Sequence, residues 1–212
     1  FTFINRWMGT DMQSPAWRML MDQGLGVVDD VKCVRVIEHG VRDSHEDMVR
    51  DGAACTCHTR HTPVGAIREV VAHGWKTEHF VKEPQDYKVL QWIVEHTELV
   101  ADYDVQRQAD DRVGSFGVAP VVGSRSPMLG INVEWAGAEQ FALDLAKETP
   151  ELFELFHARR RLFLEETRLI AKGPGDFVKW VENLMASLLG PRRYRDWVVS
   201  VYRDAVPILE SA

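Results

Sequence analysis

The chain has 212 residues, of which 45% are hydrophobic and 27% are charged, and its formal net charge is −7 at pH 7. Such a chain is globular and long enough to bury a sizeable core. The acidic balance argues against a general affinity for nucleic acid or for an anionic membrane, because both need clustered basic surface. No apolar run reaches the length of a membrane span, and three cysteines indicate a reducing compartment, so a cytoplasmic protein is expected.

The first third of the sequence predicts a short helix and then an antiparallel meander. Thr10 to Gln23 has helical apolar spacing and is closed by Gly24. Strands are predicted over residues 31–38, 53–62, 66–72 and 77–81. An acidic, turn-rich segment at 43–52 separates the first two strands, and His73-Gly74 turns the last two into a hairpin.

The middle of the chain predicts one helix and one buried strand. Pro84 starts a helix that is expected to run over Tyr87 to Ala101. The apolar run Val113 to Val121 is typical of a strand covered on both faces. The segment that follows it, Val122 to Asn132, is then expected to be a functional loop.

The last third predicts two helices, a strand and a further helix. Glu134 to Lys147 has one apolar stripe, and Pro150 ends that helix and opens the next, Glu151 to Lys172. Arg159, Arg160 and Arg161 form a basic belt in the second helix, and a solvent-exposed face is expected for it. Phe177 to Val181 predicts a buried strand, and the last helix is expected over Pro191 to Leu209.

Several runs in this part of the chain resemble a known family. They are Trp135-Ala-Gly-Ala-Glu139, AKETPELFELF, IAKGPGDFVKWVENLMASLLGPRRYRDWVVSVYRDAVP and Thr62-Pro63-Val64-Gly65. They resemble the uroporphyrinogen decarboxylase superfamily, which includes decarboxylases of tetrapyrrole synthesis and zinc-dependent methyltransferases that serve corrinoid proteins. The resemblance covers most of residues 60–212, and Gly190-Pro191 stands where the family has Ser-Pro.

The resemblance implies an α/β fold, a TIM (β/α)8 barrel of that family's type with an N-terminal hairpin and meander. One domain is expected over 1–212, with the helix and hairpin region at about 1–82 and barrel units at about 83–212. The barrel is expected to be incomplete in this chain, because a closed one needs about 250 residues. Val113–Val121 and Phe177–Val181 are expected to lie in one parallel layer.

Active sites of such barrels collect at the carboxyl ends of the strands, which ranks the candidate residues. Glu182 and Asn183 follow a predicted strand and are the catalytic candidates. The substrate-binding candidates are Ser124, Arg125, Asn132, Glu134 and Arg6. Arg125 is suited to a bidentate pair with a substrate carboxylate, and Glu182 to proton transfer if burial raises its pKa. Arg6 stands in place of the arginine-rich segment that the family's decarboxylases carry near their start.

Three functions remain open at this point. The first is cofactor-independent decarboxylation of a carboxylated, tetrapyrrole-like small molecule, which would be a carboxy-lyase reaction in porphyrin biosynthesis. The second is zinc-dependent methyl transfer with a corrinoid protein, the zinc ligands lying outside this chain. The third is a non-catalytic barrel relative that binds a partner, and a homodimer is compatible with each of the three.

Cys55-Thr-Cys57-His58-Thr-Arg-His61 contains thiols and imidazoles at close spacing, which are the ligands that zinc prefers. On a strand, however, period-two alternation places Cys55, Cys57 and Thr59 on one face and His58 on the other. A packed strand with small buried thiols is therefore the simpler interpretation, and no metal site is predicted.

Overall fold

The computed structural model of the chain describes residues 2–5, 11–50, 52–183 and 186–211. The strands are β1 Thr2–Asn5, β2 Leu25–Val28, β3 Val34–Glu38, β4 Arg42–Arg50, β5 Ala53–Thr62, β6 Gly65–Ala72, β7 Trp75–Glu78, β8 Thr97–Ala101, β9 Gly117–Val118, β10 Val121–Gly123 and β11 Val178–Trp180. The helices are α1 Pro15–Asp22, α2 Pro84–Glu95, α3 Tyr103–Val113, α4 Pro127–Gly130, α5 Gly137–Ala146, α6 Pro150–Ala171, α7 Ala186–Tyr194 and α8 Ser200–Glu210. A π-helical segment, Ile131–Ala136, joins α4 to α5, and another, Arg195–Val199, joins α7 to α8.

Strands β4 to β7 form an antiparallel sheet in sequence order. Short turns connect the strands, and a short turn returns the chain beside the strand it has just left. Cys55 and Cys57 are buried against Val70, whereas the edge strand β4 is polar and almost entirely exposed. The strand predicted over 53–62 and its alternation are confirmed, but the acidic segment at 43–52 is largely strand β4 and not a turn.

Strands β3 and β8 form a separate antiparallel pair, in which Val34 lies opposite Ala101 and Glu38 opposite Thr97. The helix predicted over Tyr87 to Ala101 therefore ends early, at Glu95. The segment Thr97–Ala101 contains β-branched residues, and the pairing partner it finds 60 residues earlier outweighs its weak helical pattern. This pair forms one wall of the cleft described below.

The parallel pairings are few and short. Strand β2 lies between β1 and β9, and β10 pairs with β11 from Val121↔Val178 to Gly123↔Trp180. A bridge between Val31 and Val121 links these two groups of strands. The expected parallel relation of Val121 to the 177–181 segment is therefore present, but most of 113–121 is not strand.

The prediction of a TIM (β/α)8 barrel is wrong. The structure has a mixed α/β arrangement with several antiparallel sheets, and the part of the chain that it describes does not form eight parallel β/α units. The predicted strand 113–121 is divided into the end of α3, a 3-10 turn at Gly114–Phe116 and two short strands. Gly114, Gly117 and Pro120 interrupt the apolar run, so no long buried strand can form there.

Helix α6 is the centre of the main hydrophobic core and packs against α2 and α8. Its buried stripe includes Leu152, Leu155, Phe156 and Phe163, as expected from the helical spacing. Tyr87 of α2 is fully buried, and its hydroxyl donates a hydrogen bond of 2.8 Å to Asp144 Oδ2 of α5. These helices hold the side of the cleft that faces the β3–β8 pair.

The C-terminal helices differ from the predicted single helix over Pro191 to Leu209. Helix α7 starts at Ala186 and is interrupted at Gly190, whose φ of +69° lies in the left-handed region that favours glycine. Pro191 then opens a new helical turn. Among the described residues, no helix combines the length and the apolar character that crossing a membrane requires.

Replacement of Tyr87 by phenylalanine should lower the free energy of unfolding by about 1–3 kcal/mol, because it removes a donor from the buried Asp144 carboxylate. Denaturant unfolding followed by circular dichroism measures the change. Tyr103→Phe is the matched control: its hydroxyl donates to Leu169 O but is partly exposed, so the loss should be smaller. Equal losses in the two variants would contradict the assignment.

Candidate functional site

A cleft of about 250 Å³ lies between the β3–β8 pair and helices α2 and α6, beside the loop that follows β10. Its walls are apolar, but three arginines and three glutamates also line it. The charged residues are Glu38, Arg60, Arg125, Glu134, Arg159 and Glu166. This combination of apolar walls and a few convergent polar groups is typical of a small-molecule site.

Arg159 is the most buried of the three arginines, with a side chain only 10% exposed. It lies on the apolar stripe of α6, four residues before Phe163. Its guanidinium carbon lies 4.2 Å from the ring centre of Trp135, a cation–π contact, and its Nη2 donates to Glu134 Oε2 at 2.5 Å. Within the described part of the chain, Nη1 has no hydrogen-bond partner.

Gly130 makes room for this guanidinium. A Cβ at that position would lie 2.3 Å from Arg159 Nη2 and 2.6 Å from Cζ, closer than non-bonded atoms approach. Helix α4 therefore packs against the charged end of Arg159 at a distance that a larger residue would not allow without a shift of the guanidinium.

Glu134 joins two arginines. Its Oε2 accepts from Arg159, and its Oε1 lies 3.2 Å from Arg125 Nη1. The π-helical segment 131–136 carries Glu134 and Trp135 to the cleft, and such segments are frequent at functional sites. Contacts outside the helix hold it, since Glu134 O accepts from Lys76 Nζ at 2.6 Å and Trp135 O from Val81 N at 3.1 Å.

Glu166 is a second buried carboxyl at the cleft, seven residues after Arg159 on the same helix. It accepts a hydrogen bond of 3.1 Å from the backbone N–H of Ser124. Burial raises the pKa of Glu166, and this effect outweighs the Ser124 hydrogen bond and the charges of Lys32 and Arg159, which lower it. Glu166 is therefore suited to hold a proton above the usual range of a glutamate.

Arg60 lies on the opposite wall, where β5 meets β3. It forms ion pairs with Glu38 and with Asp43, the latter at 3.2 Å, and its side chain is only 14% exposed. Asp43 lies on β4, which pairs with β5, whereas Glu38 lies on β3 of the separate β3–β8 pair, and the two carboxylates together outweigh the charge of this arginine. The two walls differ in this respect: Arg60 has two acidic partners, whereas Arg125 and Arg159 share Glu134.

The structure places the predicted residues differently. Ser124, Arg125, Glu134 and Asn183 come together, because Arg125 Nε donates to Asn183 Oδ1 at 3.3 Å. Asn132 is buried in the π-helical segment, away from the residues that line the cleft in the described chain. Arg6 lies outside the described residues.

Glu182 lies behind the cleft and not on its surface. Its Oε1 accepts from the backbone N–H of Ser126 at 2.6 Å and from the hydroxyl of Tyr202. Burial and the Glu182 hydrogen bond raise the pKa of Tyr202, which stays protonated as the donor. Glu182 therefore positions the loop that carries Arg125. It would act on a ligand through that loop and not by direct contact.

Sequence reasoning missed Arg159, Glu166 and Arg60. The expectation that Arg159 lies on a solvent-exposed belt is wrong, since the residue is 8% exposed. Residues 159, 163, 166 and 170 share one face of α6, so the helical period that identified the core also places Arg159 and Glu166 on it. Charged residues on an apolar stripe were the available signal.

The Cys55 to His61 segment gives no convergent ligand set. Cys55 and Cys57 are buried free thiols, while His58 lies against His45 with ring centres 4.4 Å apart. In the described ranges, no group of three or more histidine, cysteine, aspartate or glutamate side chains is arranged to hold a metal ion.

The raised pKa of Glu166 makes stability depend on pH. The folded state holds this proton more tightly than the unfolded state, whose glutamate titrates near its ordinary value of 4.5. The contribution of this proton to the free energy of unfolding is therefore complete below that pH. It is lost as the pH rises through the higher pKa that Glu166 has in the folded state. We expect Glu166→Gln to remove this loss, measured as the free energy of unfolding at a series of pH values.

The exposed neighbour Glu165 provides the control for this experiment. Glu165→Gln should follow the wild-type pH dependence. If the free energy of unfolding of Glu166→Gln changed with pH in the same way as that of the wild type, Glu166 would not be the carboxyl that holds the proton.

Comparisons with known proteins found no matching family model, no similar curated protein and no similar solved structure. They give no support for a decarboxylase or for a role in porphyrin biosynthesis, and the structure has mixed α/β sheets in place of the expected barrel. The resemblance to the uroporphyrinogen decarboxylase superfamily stays a prediction that rests on the quoted residues alone.

Proposed function

We propose that this chain binds a small molecule by its carboxylate in the cleft, with Arg159 as the anchor and Glu166 as a proton donor beside it. The observation that carries the proposal is Arg159 Nη1, a charged donor that is buried beside the cleft and has no partner among the described residues. An unpaired buried donor is costly, and a ligand carboxylate would relieve that cost with a charge-assisted hydrogen bond.

The charge balance of this wall supports an anionic ligand. Arg125 and Arg159 carry two positive charges and share the single carboxylate of Glu134. If Glu166 holds its proton, one positive charge is left on the wall. A monoanionic ligand would balance it without displacing Glu134.

Glu166 supports a reaction that transfers a proton to the ligand. A carboxyl with a raised pKa is protonated near neutral pH more often than an ordinary one, so it can act as a general acid. Decarboxylation of a carboxylated substrate is one reaction that ends in protonation of a carbon atom, and it stays a prediction. A cavity of about 250 Å³ favours a ligand much smaller than a tetrapyrrole.

Two alternatives from the sequence also stay predictions. Zinc-dependent methyl transfer with a corrinoid protein has no ligand set within the described ranges to argue from. Carboxylate binding without catalysis would use the same Arg159 anchor and would leave Glu166 without a chemical role. Turnover of a bound carboxylate would separate the enzyme from the binding protein.

Arg159→Met should weaken binding of hexanoate, a simple probe carboxylate, by about 10- to 100-fold, because it removes a charge-assisted hydrogen bond. NMR titration of the Trp135 indole resonance, which reports from the cleft wall, measures the dissociation constant. Arg161→Met is the control, since Arg161 is two residues away on α6, exposed, and paired with Glu95 at 3.4 Å. Equal binding by both variants would remove Arg159 from the proposal.

Hexanoate binding should also weaken as the pH rises through the pKa of Glu166, because ionised Glu166 cancels the remaining positive charge. The other groups whose charge acts on this carboxyl are Lys32 and Arg159, and Cys33 lies close enough for Glu166 to raise its pKa. In Glu166→Gln the affinity should stay constant over the part of this range in which hexanoate itself is fully ionised. A pH dependence that survives this substitution would assign the effect to another group.

A further inference from the structure

We infer that the ligand carries a single carboxylate on a short apolar body, and that the cleft selects against a second carboxylate. This inference rests on the proposed function, because it specifies the kind of carboxylate that the Arg159 site accepts. It follows from three features of the cleft: the buried Arg159 donor without a partner, the acidic opposite wall and the apolar side chains between them.

The wall that carries Arg159 has one buried charged donor without a partner, and the more exposed Arg125 Nη2 also has no hydrogen-bond partner among the described residues. Arg125 uses Nη1 on Glu134 and Nε on Asn183, and Arg159 uses Nη2 on Glu134. Arg159 Nη1 is the cleft's buried guanidinium nitrogen without a partner in the described chain. One ligand carboxylate therefore satisfies the buried unpaired donor on this wall.

The opposite wall would repel a second carboxylate. Its arginine, Arg60, already contacts two carboxylates, those of Glu38 and Asp43, so the group carries a net negative charge. Glu38 itself lines the cleft. A ligand with two carboxylates would place the second one near Glu38 and would have to displace an existing ion pair to reach Arg60.

The surface between the two charged walls is apolar. It is formed by side chains of β3, α2, β8, the π-helical segment and α6, namely Val36, Val94, Leu99, Trp135, Leu162 and Phe163. A hydrocarbon chain or ring buried here would add binding free energy in proportion to its apolar area. The cleft has a volume of about 250 Å³, whereas sites for drug-sized ligands have volumes of about 300–1,000 Å³. The apolar part of the ligand is therefore short.

A matched set of probes tests this inference. Hexanoate and adipate have the same chain length but one and two carboxylates, acetate has a carboxylate without an apolar body, and hexanamide has the body without the charge. We expect hexanoate to bind the wild-type protein at least about tenfold more tightly than each of the other three, measured by NMR titration, and Arg159→Met to weaken hexanoate binding.

Glu38→Gln provides a second variant. Removing this carboxylate reduces the repulsion between the opposite wall and the second carboxylate of adipate. Adipate binding should therefore strengthen, while hexanoate binding changes little. Glu46→Gln, an exposed change on the neighbouring strand β4, should alter neither affinity.

The outcomes separate the inference from the proposed function. If adipate or acetate bound the wild-type protein as tightly as hexanoate does, the inference would be wrong. The proposed carboxylate site at Arg159 would not be contradicted by that result. If hexanamide bound as tightly as hexanoate, or Arg159→Met left all affinities unchanged, the proposed carboxylate site itself would be wrong, and the inference with it.

Discussion

A buried positive charge determines the arrangement of the cleft. Placing the Arg159 guanidinium in an apolar core is costly unless partners surround it, and the structure supplies them from separate parts of the chain. Glu134 pairs with it, Trp135 offers a ring face, and Gly130 leaves the space. The π-helical segment that brings the first two to α6 is best understood as the backbone geometry that this charge requires.

The same constraint explains the difference between the two walls of the cleft. On the sheet wall, Arg60 pairs with the carboxylates of Glu38 on β3 and Asp43 on β4, which leaves a net negative charge there. On the helical wall, two arginines share one carboxylate and the second acid, Glu166, is driven toward its neutral form by burial. An excess of positive charge thus remains on one side only.

Local patterns in the sequence identified most elements, but not their assembly. The stripe of α6, the Pro150 helix start and the β5 strand were predictable, because helical and strand periods depend on neighbouring residues. The β3–β8 pairing was not, since it depends on a partner 60 residues away that overrode the helical pattern of Thr97–Ala101. The family resemblance then imposed a parallel barrel on segments that pair antiparallel.

For the site, the structure places Ser124, Arg125, Glu134 and Asn183 near one another, although the fold behind the strand-end argument was wrong. The loop after β10 does lie beside β11, so parallel pairing of these two short strands was enough. Arg159 and Glu166 were missed because a charged residue on a helix is usually solvated. Only the tertiary position of α6 distinguishes a buried charge from an exposed one.

The cleft also constrains the order in which this chain can fold. The sheet β4–β7 uses hairpins between successive strands, whereas contacts that enclose the cleft join more distant segments, such as Ser124 with Glu166, 42 residues apart. Closing such loops loses more chain entropy, so the hairpin sheet can form early and independently. The cleft would then be the last part of the molecule to be completed.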